Sequence, residues 1–234
     1  MTRRINRIKG TPLPRFDAEH AERAVLKVGN GRGFVMEIGL GSNGMTRIVI
    51  TAAHCLEGLP PAMTFAAAED KTYHNLLGPI DSEDLLVAAE CLFADPVADL
   101  AVLGEPDTEV FYEEAEAFVE FMETATILPI SSRIQTAEMP GYLLSLDGQW
   151  NPCTLTLRHG STGSGVLWVK DAHEGICGGM SGSPILLDDG TALSLVCTAG
   201  GAPGSVHREG GPMPLLAHAL PAWLVQQLTR NVNS

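Results

Sequence analysis

Three short stretches decide the fold and the chemistry of this chain: TAAHC (51–55), DPVADLAVL (95–103) and GGMSGSP (178–184). Each adjoins or contains an apolar run with the composition of a β-strand. Together they supply one histidine, one aspartate and one serine. Asp99 follows His54 by 45 residues, and Ser181 follows Asp99 by 82.

These three residue types are the ones that nucleophilic catalysis needs. A serine hydroxyl is a weak nucleophile at neutral pH and requires a base within hydrogen-bond reach. A histidine can take that proton and return it to a leaving group, while a carboxylate fixes the tautomer of the ring. The glycines around Ser181 allow a tight turn, and we expect the amides of Gly179 and Ser181 to face a developing oxyanion. Asp95 is a second candidate for the carboxylate that orients His54, but we interpret it as a turn residue before Pro96.

Short apolar runs separated by turn signals fill both halves of the 234-residue chain, with 25 Gly and 15 Pro. This pattern predicts an all-β chain with an N-terminal β-unit (1–104), an acidic linker (105–124) and a C-terminal β-unit (125–234). Eight carboxylates lie between residues 105 and 123, where apolar residues recur at helical spacing: Phe111, Ala115, Phe118 and Met122. We predict an amphipathic linker helix whose acidic face is either solvated or a docking face for a basic partner. The segment 220–230 predicts a C-terminal helix with Trp223, Leu224 and Leu228 facing inward.

Charge and composition exclude several classes of function. The formal net charge of −13 opposes binding to nucleic acid or to an anionic membrane. No apolar run reaches the length of a membrane helix, and no apolar segment of a secretory signal follows the basic start of the chain. Five Cys, an odd number, favour free thiols in a reducing cytoplasm. The His and Cys residues show no metal-ligand spacing, so we expect no metal and no cofactor.

The three stretches resemble the catalytic motifs of trypsin-like (chymotrypsin-fold) serine peptidases. GRGFV (31–35) and DPxxDLAVL resemble the bacterial high-temperature-requirement branch, and PAWL (221–224) resembles the closing helix of the family. The resemblance runs from about residue 24 to residue 230 and leaves the acidic linker unmatched. It implies two perpendicular six-stranded antiparallel β-barrels, joined here by the predicted linker helix and closed by the C-terminal helix. His54 and Asp99 would come from the first barrel and Ser181 from the second, with the active site in the cleft.

The resemblance also implies substrate contacts. Thr198, Ala199 and Gly200 resemble the strand that pairs with an extended peptide substrate. Gly175 stands where trypsins carry the aspartate that selects Lys or Arg, so such a preference is not expected. A medium apolar side chain in the substrate pocket is one alternative, and an acidic one, favoured by His207 and Arg208, is the other.

Three departures from the family pattern are informative. Met180 replaces the aspartate that pairs with a new N-terminus after zymogen cleavage, which argues against activation by N-terminal trimming. Cys55 lacks its family partner on the preceding strand, so that disulfide is not expected. The chain ends at Ser234, which leaves no room for the peptide-binding domain that bacterial homologues often append.

Alternatives remain at the nucleophile and at the level of function. GICGG (175–179) resembles the nucleophile turn of picornaviral chymotrypsin-fold cysteine peptidases, which makes Cys177 a second candidate nucleophile. The leading hypothesis is a cytoplasmic serine endopeptidase with polypeptide substrates, either narrow in specificity or silent until a regulatory protein binds. The alternative is a catalytically silent binding module that keeps the chymotrypsin fold.

Overall fold

The first half of the chain forms a closed six-stranded barrel in the computed structural model. The structure describes residues 14–39, 45–61, 67–82, 84–131, 138–159, 165–197 and 205–225. The strands of this barrel are β1 (Val25–Val28), β2 (Gly31–Gly39), β3 (Met45–Thr51), β4 (Thr72–Pro79), β5 (Val87–Asp95) and β6 (Leu100–Gly104). They are hydrogen-bonded in the closed order β1-β2-β3-β6-β5-β4, and every neighbouring pair is antiparallel. Closure leaves no free sheet edge in this barrel.

The paired strands β2 and β3 contribute large apolar side chains to the core of the first barrel. Phe34 lies opposite Ile50, and Met36 lies opposite Ile48. All four side chains are buried. β-Branched and aromatic residues of this kind pack well on a pleated surface, which explains why the apolar run before TAAHC forms a strand.

A 13-residue helix, α3 (Tyr112–Thr124), connects the two halves. Its Ala115, Phe118 and Met122 are buried, and the helix packs on β5. Arg47 donates from its guanidinium to the carbonyl oxygens of Met122 and Ala125, which satisfies the C-terminal end of the helix. The structure therefore confirms the predicted linker helix.

The second half forms a six-stranded antiparallel sheet that nearly closes into a barrel. Its strands are β7 (Met139–Leu144), β8 (Trp150–His159), β9 (Gly165–Lys170), β10 (Pro184–Leu186), β11 (Ala192–Leu195) and β12 (Gly210–Pro214). The order is β11-β10-β7-β8-β9-β12. An isolated bridge between Ser194 and Leu215 brings the two outer edges together. The predicted two-barrel, all-β fold is thus confirmed.

The remaining helices are short. They are α1 (Ala18–Arg23), α2 (Ala68–Lys71) and α4 (Leu216–Ala219), and residues 222–225 are also helical. Leu224 is buried as predicted, but the inward prediction for Trp223 was wrong because 46% of that residue is exposed. The prediction for Leu228 lies outside the described residues. Within the described part of the chain, no helix has the length and apolar character needed to cross a bilayer.

Candidate active site

His54 lies on a single 3₁₀ turn directly after β3. The turn spans Ala53–Cys55, and the N–H of Cys55 donates to the carbonyl of Ala52 at 3.0 Å. Ala52, Ala53 and Cys55 are buried, whereas His54 is exposed. The apolar neighbours therefore fix the turn in the core and leave the imidazole exposed.

Asp99 ends the tight loop between β5 and β6. Asp95 accepts hydrogen bonds from the N–H groups of Val97 and Ala98 at 2.8 and 3.1 Å, which builds the loop as an Asx turn. Asp99 itself adopts a left-handed conformation with φ +54°. Aspartate tolerates this region better than most residues.

Both carboxylate oxygens of Asp99 bind His54. Oδ1 accepts from the backbone N–H of His54 at 3.0 Å, and Oδ2 lies 2.7 Å from Nδ1 of the ring. Because an ionised carboxylate only accepts hydrogen bonds, Nδ1 must carry the proton. In the neutral ring, Nε2 is then the atom with the free lone pair, and it lies on the side of the ring opposite Asp99.

Two consecutive turns carry Ser181. The N–H of Met180 donates to the carbonyl of Cys177 at 3.3 Å, and the N–H of Ser183 donates to the carbonyl of Met180 at 2.9 Å. Positive φ values occur only at the third residue of each turn, +89° at Gly179 and +81° at Gly182. These are type II turns, which require glycine at that position. The glycine spacing of GGMSGSP therefore has a direct conformational cause.

Ser181 is joined to the first barrel through its main chain. Its carbonyl oxygen accepts from the N–H of Arg32 at 2.7 Å and from Sγ of Cys55 at 3.7 Å. Cys55 adjoins His54, so these contacts bring the turn that carries Ser181 next to the turn that carries His54. Among the described residues, none forms a hydrogen bond with Ser181 Oγ.

Two buried thiols contact the main chain of the candidate residues across the inter-barrel seam. Cys55 donates to Ser181, as noted, and Cys197 donates to the carbonyl of Asp99 at 3.3 Å. Burial raises the pKa of both thiols. They therefore remain protonated at neutral pH, which is the state in which a thiol can donate.

Two backbone N–H groups that flank Met180 have no acceptor among the described residues. The N–H groups of Met180 and Gly182 are bonded, the latter to the carbonyl of Val196 at 2.7 Å. By contrast, the N–H groups of Gly179 and Ser181 donate to no other described residue. These are the two amides that the sequence predicts as oxyanion donors.

The predicted substrate-binding residues are only partly within the described chain. Gly175 is buried with φ +78°, and a Cβ there would lie 2.3 Å from Cγ1 of Val206. No side chain fits at this position. His207 pairs with Ile176 in an antiparallel bridge, and its Nε2 lies 2.6 Å from Oγ of Ser205. Thr198, Ala199 and Gly200 lie outside the described residues.

The cysteines and Met180 agree with the expected departures from the family pattern. All five cysteines are free, so Cys55 forms no disulfide. Cys91, Cys153 and Cys197 are buried. Cys177 is half-buried at the first position of the Gly178–Gly179 turn, and Met180 is buried without an ion pair. Nowhere in the described part of the chain do three or more His, Cys, Asp or Glu side chains come together as metal ligands.

Sequence reasoning missed Arg32 as a residue of this site. Only 6% of Arg32 is exposed, although it lies on a strand that is otherwise almost wholly apolar or glycine. Its guanidinium donates from Nη1 to the carbonyls of Leu144 and Ser145 in the second barrel, at 3.0 and 3.1 Å. The sequence did contain a signal for Arg32, since it stands between two glycines in an apolar strand. A charged residue in such a place needs specific hydrogen-bond partners.

Comparisons with known proteins give likenesses in structure only. No family model matches the chain, and no curated protein matches it in sequence. The Rv3671c protease of M. tuberculosis H37Rv, in its inactive form, is 18% identical with a TM-score of 0.49 over 91% of each chain. The serine protease of a human pathogenic astrovirus is 14% identical with a TM-score of 0.46 over 87% of this chain and 93% of that one. The two six-stranded barrels fit the chymotrypsin fold of the serine peptidases, the family that the three motifs resemble.

Proposed function

We propose that this chain is a serine endopeptidase in which His54, Asp99 and Ser181 form a catalytic triad. The observation that carries the proposal is the double hydrogen bond between Asp99 and His54, next to the turn that bears Ser181. A carboxylate that fixes both the backbone and the ring of a histidine leaves Nε2 as a positioned base. The division of the chain at 1–104, 105–124 and 125–234 is part of the same proposal.

The proposed reaction begins with attack by Ser181 Oγ on the scissile carbonyl carbon, while its proton passes to Nε2 of His54. Asp99 stabilises the resulting imidazolium. The N–H groups of Gly179 and Ser181 bind the negative oxygen of the tetrahedral intermediate. His54 then gives its proton to the leaving amine, the C–N bond breaks, and the acyl group remains on Ser181.

Water completes the cycle by the same route. It attacks the ester carbonyl as its proton passes to His54, and the acid product leaves when Ser181 Oγ takes that proton back. The stretch 198–200 is our proposal for the strand that pairs with the polypeptide substrate, with Gly175 in the pocket for the residue before the cut. A peptide library with apolar and acidic residues at that position separates the two pocket alternatives.

We further propose that activity is narrow in specificity or gated by a partner. The supporting observation is that Ser181 Oγ has no hydrogen bond with His54 among the described residues, whereas the Asp99–His54 pair is formed. Binding of the correct substrate or regulator would complete the Ser181–His54 contact. Rapid cleavage of many unfolded proteins by the isolated chain would contradict this gating. The five free thiols support the cytoplasm as the compartment.

Labelling with a fluorophosphonate probe tests the central proposal, because the probe reacts only with an activated serine. We expect covalent labelling of Ser181, loss of labelling in Ser181→Ala, and a fall of at least about 10⁴-fold in His54→Ala. Peptide mapping of the adduct locates the labelled residue. Cys177→Ala is the control for the alternative nucleophile and should retain labelling. Labelling that survives Ser181→Ala would refute the assignment. A gated site should still label, only slowly, because the Asp99–His54 pair is already formed, so absence of both labelling and turnover would favour a binding module.

A further inference from the structure

Arg32 carries a buried positive charge that forms no salt bridge with the described residues. Burial lowers the pKa of its guanidinium, and this is opposed by weaker, longer-range interactions with Cys177, Asp81, Glu22 and Asp147. An arginine still remains protonated in a protein. Removing a cation from water costs several kcal/mol, and an apolar residue in such a place is often as stable or more so. The placement therefore favours a role beyond the stability of the barrel.

The main chain of Arg32 joins the two parts of the proposed catalytic site. Its N–H donates to the carbonyl of Ser181 at 2.7 Å, and its carbonyl accepts from Oγ1 of Thr51 at 2.7 Å. Thr51 ends the strand that leads into the His54 turn. The Arg32 carbonyl also lies so close to Gly182 that a Cβ there would be 1.8 Å away. The main chain of Arg32 thus contacts both the strand that leads to His54 and the turn that carries Ser181.

The side chain of Arg32 reaches a second segment that borders the turn of Ser181, at the end of β7. Nη1 holds the carbonyls of Leu144 and Ser145, where β7 ends. The next residue, Leu146, is 55% exposed, and its Cδ2 lies 3.4 Å from the position of a Cβ on Gly179. The guanidinium therefore fixes the segment against which the Gly178–Gly179 turn rests.

We propose that Arg32 is a positioning residue, which holds Ser181 through its main chain and the Gly179 N–H through the Leu144–Leu146 segment. This inference rests on the proposed peptidase activity. Its physical basis is that both donors and the nucleophile must be placed within a fraction of an ångström, since a displacement of about 1 Å can cost about 10²-fold in rate. A cation anchored in one barrel and bonded to the other supplies such a constraint at the seam.

Arg32→Met tests the role of the side chain because it keeps the apolar stem and the backbone N–H and removes only the guanidinium donors. We expect kcat for a fluorogenic peptide to fall about 10- to 100-fold with KM within threefold of the parent value. The rate of fluorophosphonate labelling of Ser181 should fall in parallel, because that reaction does not need a bound peptide. Arg32→Lys, which retains one charged donor nitrogen, should recover most of kcat.

Arg47→Met is a matched control for the structural cost of the substitution. Arg47 also donates from one guanidinium nitrogen to two backbone carbonyls, those of Met122 and Ala125, but at the end of α3. Thermal unfolding measures the loss of stability in both variants, and kcat is compared at a temperature where both are folded. Arg47→Met should keep the parent kcat. Equal kcat values in the two Met variants would overturn the positioning role.

Leu146→Ala keeps the proposal testable if Arg32→Met does not fold. Leu146 is half-exposed, so its truncation should leave the fold intact while it removes the contact with the Gly179 turn. We expect the labelling rate to fall about three- to tenfold, and an unchanged rate would refute the route through the Leu144–Leu146 segment. If the parent chain itself does not label at Ser181, the proposed function fails. If the parent labels and the variants match it, only the role of Arg32 fails.

Discussion

Substituting alanine for Gly179 tests the oxyanion turn with a magnitude that follows from its geometry. The residue is the third of a type II turn, with φ +89°. A Cβ there would lie 3.4 Å from Leu146, an ordinary contact, so crowding adds little. The cost of alanine is then the conformational strain of positive φ, about 1–2 kcal/mol.

Alanine at position 179 has two ways to respond. It can keep the type II turn and bear the strain, or the 178–179 peptide can rotate to give a type I turn, in which alanine is unstrained. In the free protein the second response loses no hydrogen bond, because the Gly179 N–H donates to no other described residue. We therefore expect the turn to rotate and the thermal midpoint to stay close to that of the parent.

The rate is affected because the transition state needs the N–H back in place. Losing an oxyanion donor costs about 2.7–4 kcal/mol, more than the strain of rotating the peptide back. The variant is therefore expected to react with its type II turn restored. The conformational strain of that turn is then the increase in the activation barrier. A barrier increase of about 1–2 kcal/mol corresponds to a 5- to 30-fold fall in kcat/KM. The rate of fluorophosphonate labelling should fall by the same factor.

Gly178→Ala is the matched control in the same turn. Its φ is not positive, and a Cβ at position 178 would meet nothing within 4 Å. The second position of a type II turn accepts most residues. We expect kcat/KM within about twofold of the parent. Parent-like labelling of Gly179→Ala, or an equal loss in both variants, would refute the assignment of the Gly179 N–H to the oxyanion.

Three further predictions test other parts of the site and the core. Asp99→Asn should lower kcat about 10⁴-fold, since an amide favours the wrong tautomer of His54, whereas Asp95→Asn should keep kcat because an asparagine oxygen can hold the same Asx turn. Steady-state kinetics of the two variants decides this. Gly182→Ala should lose at least about 4 kcal/mol in urea unfolding, because its Cβ would lie 1.8 Å from the Arg32 carbonyl, and an unchanged midpoint would contradict that contact. Burial raises the pKa of Cys153 to about 12 from 9.0, so above pH 9 the unfolded chain loses this proton while the folded chain keeps it. The free energy of unfolding should then fall with pH between 9 and 11, and the fall should be shallower in Cys153→Ala by about 1.4 kcal/mol per pH unit.

Most of the fold could be predicted from the sequence because the local signals agree with the structure. The apolar run before TAAHC predicts β3, and the i, i+3, i+7 spacing in the acidic linker predicts the face that α3 buries. The glycines of GGMSGSP predict turns, since type II geometry requires glycine at positions 179 and 182. In each case the determining interaction lies within a few residues of the signal.

The missed features depend on contacts between distant parts of the chain. Arg32 donates to carbonyls more than 110 residues away, so its neighbours in sequence cannot show what satisfies its charge. The contact between Cys197 and Asp99 likewise joins residues 98 positions apart. Trp223 was assigned inward from a helical pattern of only a few residues, which does not determine which face the rest of the chain covers.

If His54, Asp99 and Ser181 form the proposed triad, the seam between the barrels determines the rate of reaction. His54 and Asp99 lie on loops of the first barrel, while Ser181 precedes β10 of the second. The strand pairing within either barrel therefore leaves the distance from the imidazole to the hydroxyl free. That distance depends on donors that cross the seam to backbone carbonyls, among them the N–H and the guanidinium of Arg32, the Cys55 thiol and the Cys197 thiol. A thiol–carbonyl contact is weak, and a small shift at the seam changes little apolar burial. Substitutions at these positions should therefore reduce the rate at which Ser181 reacts before they reduce the stability of either barrel.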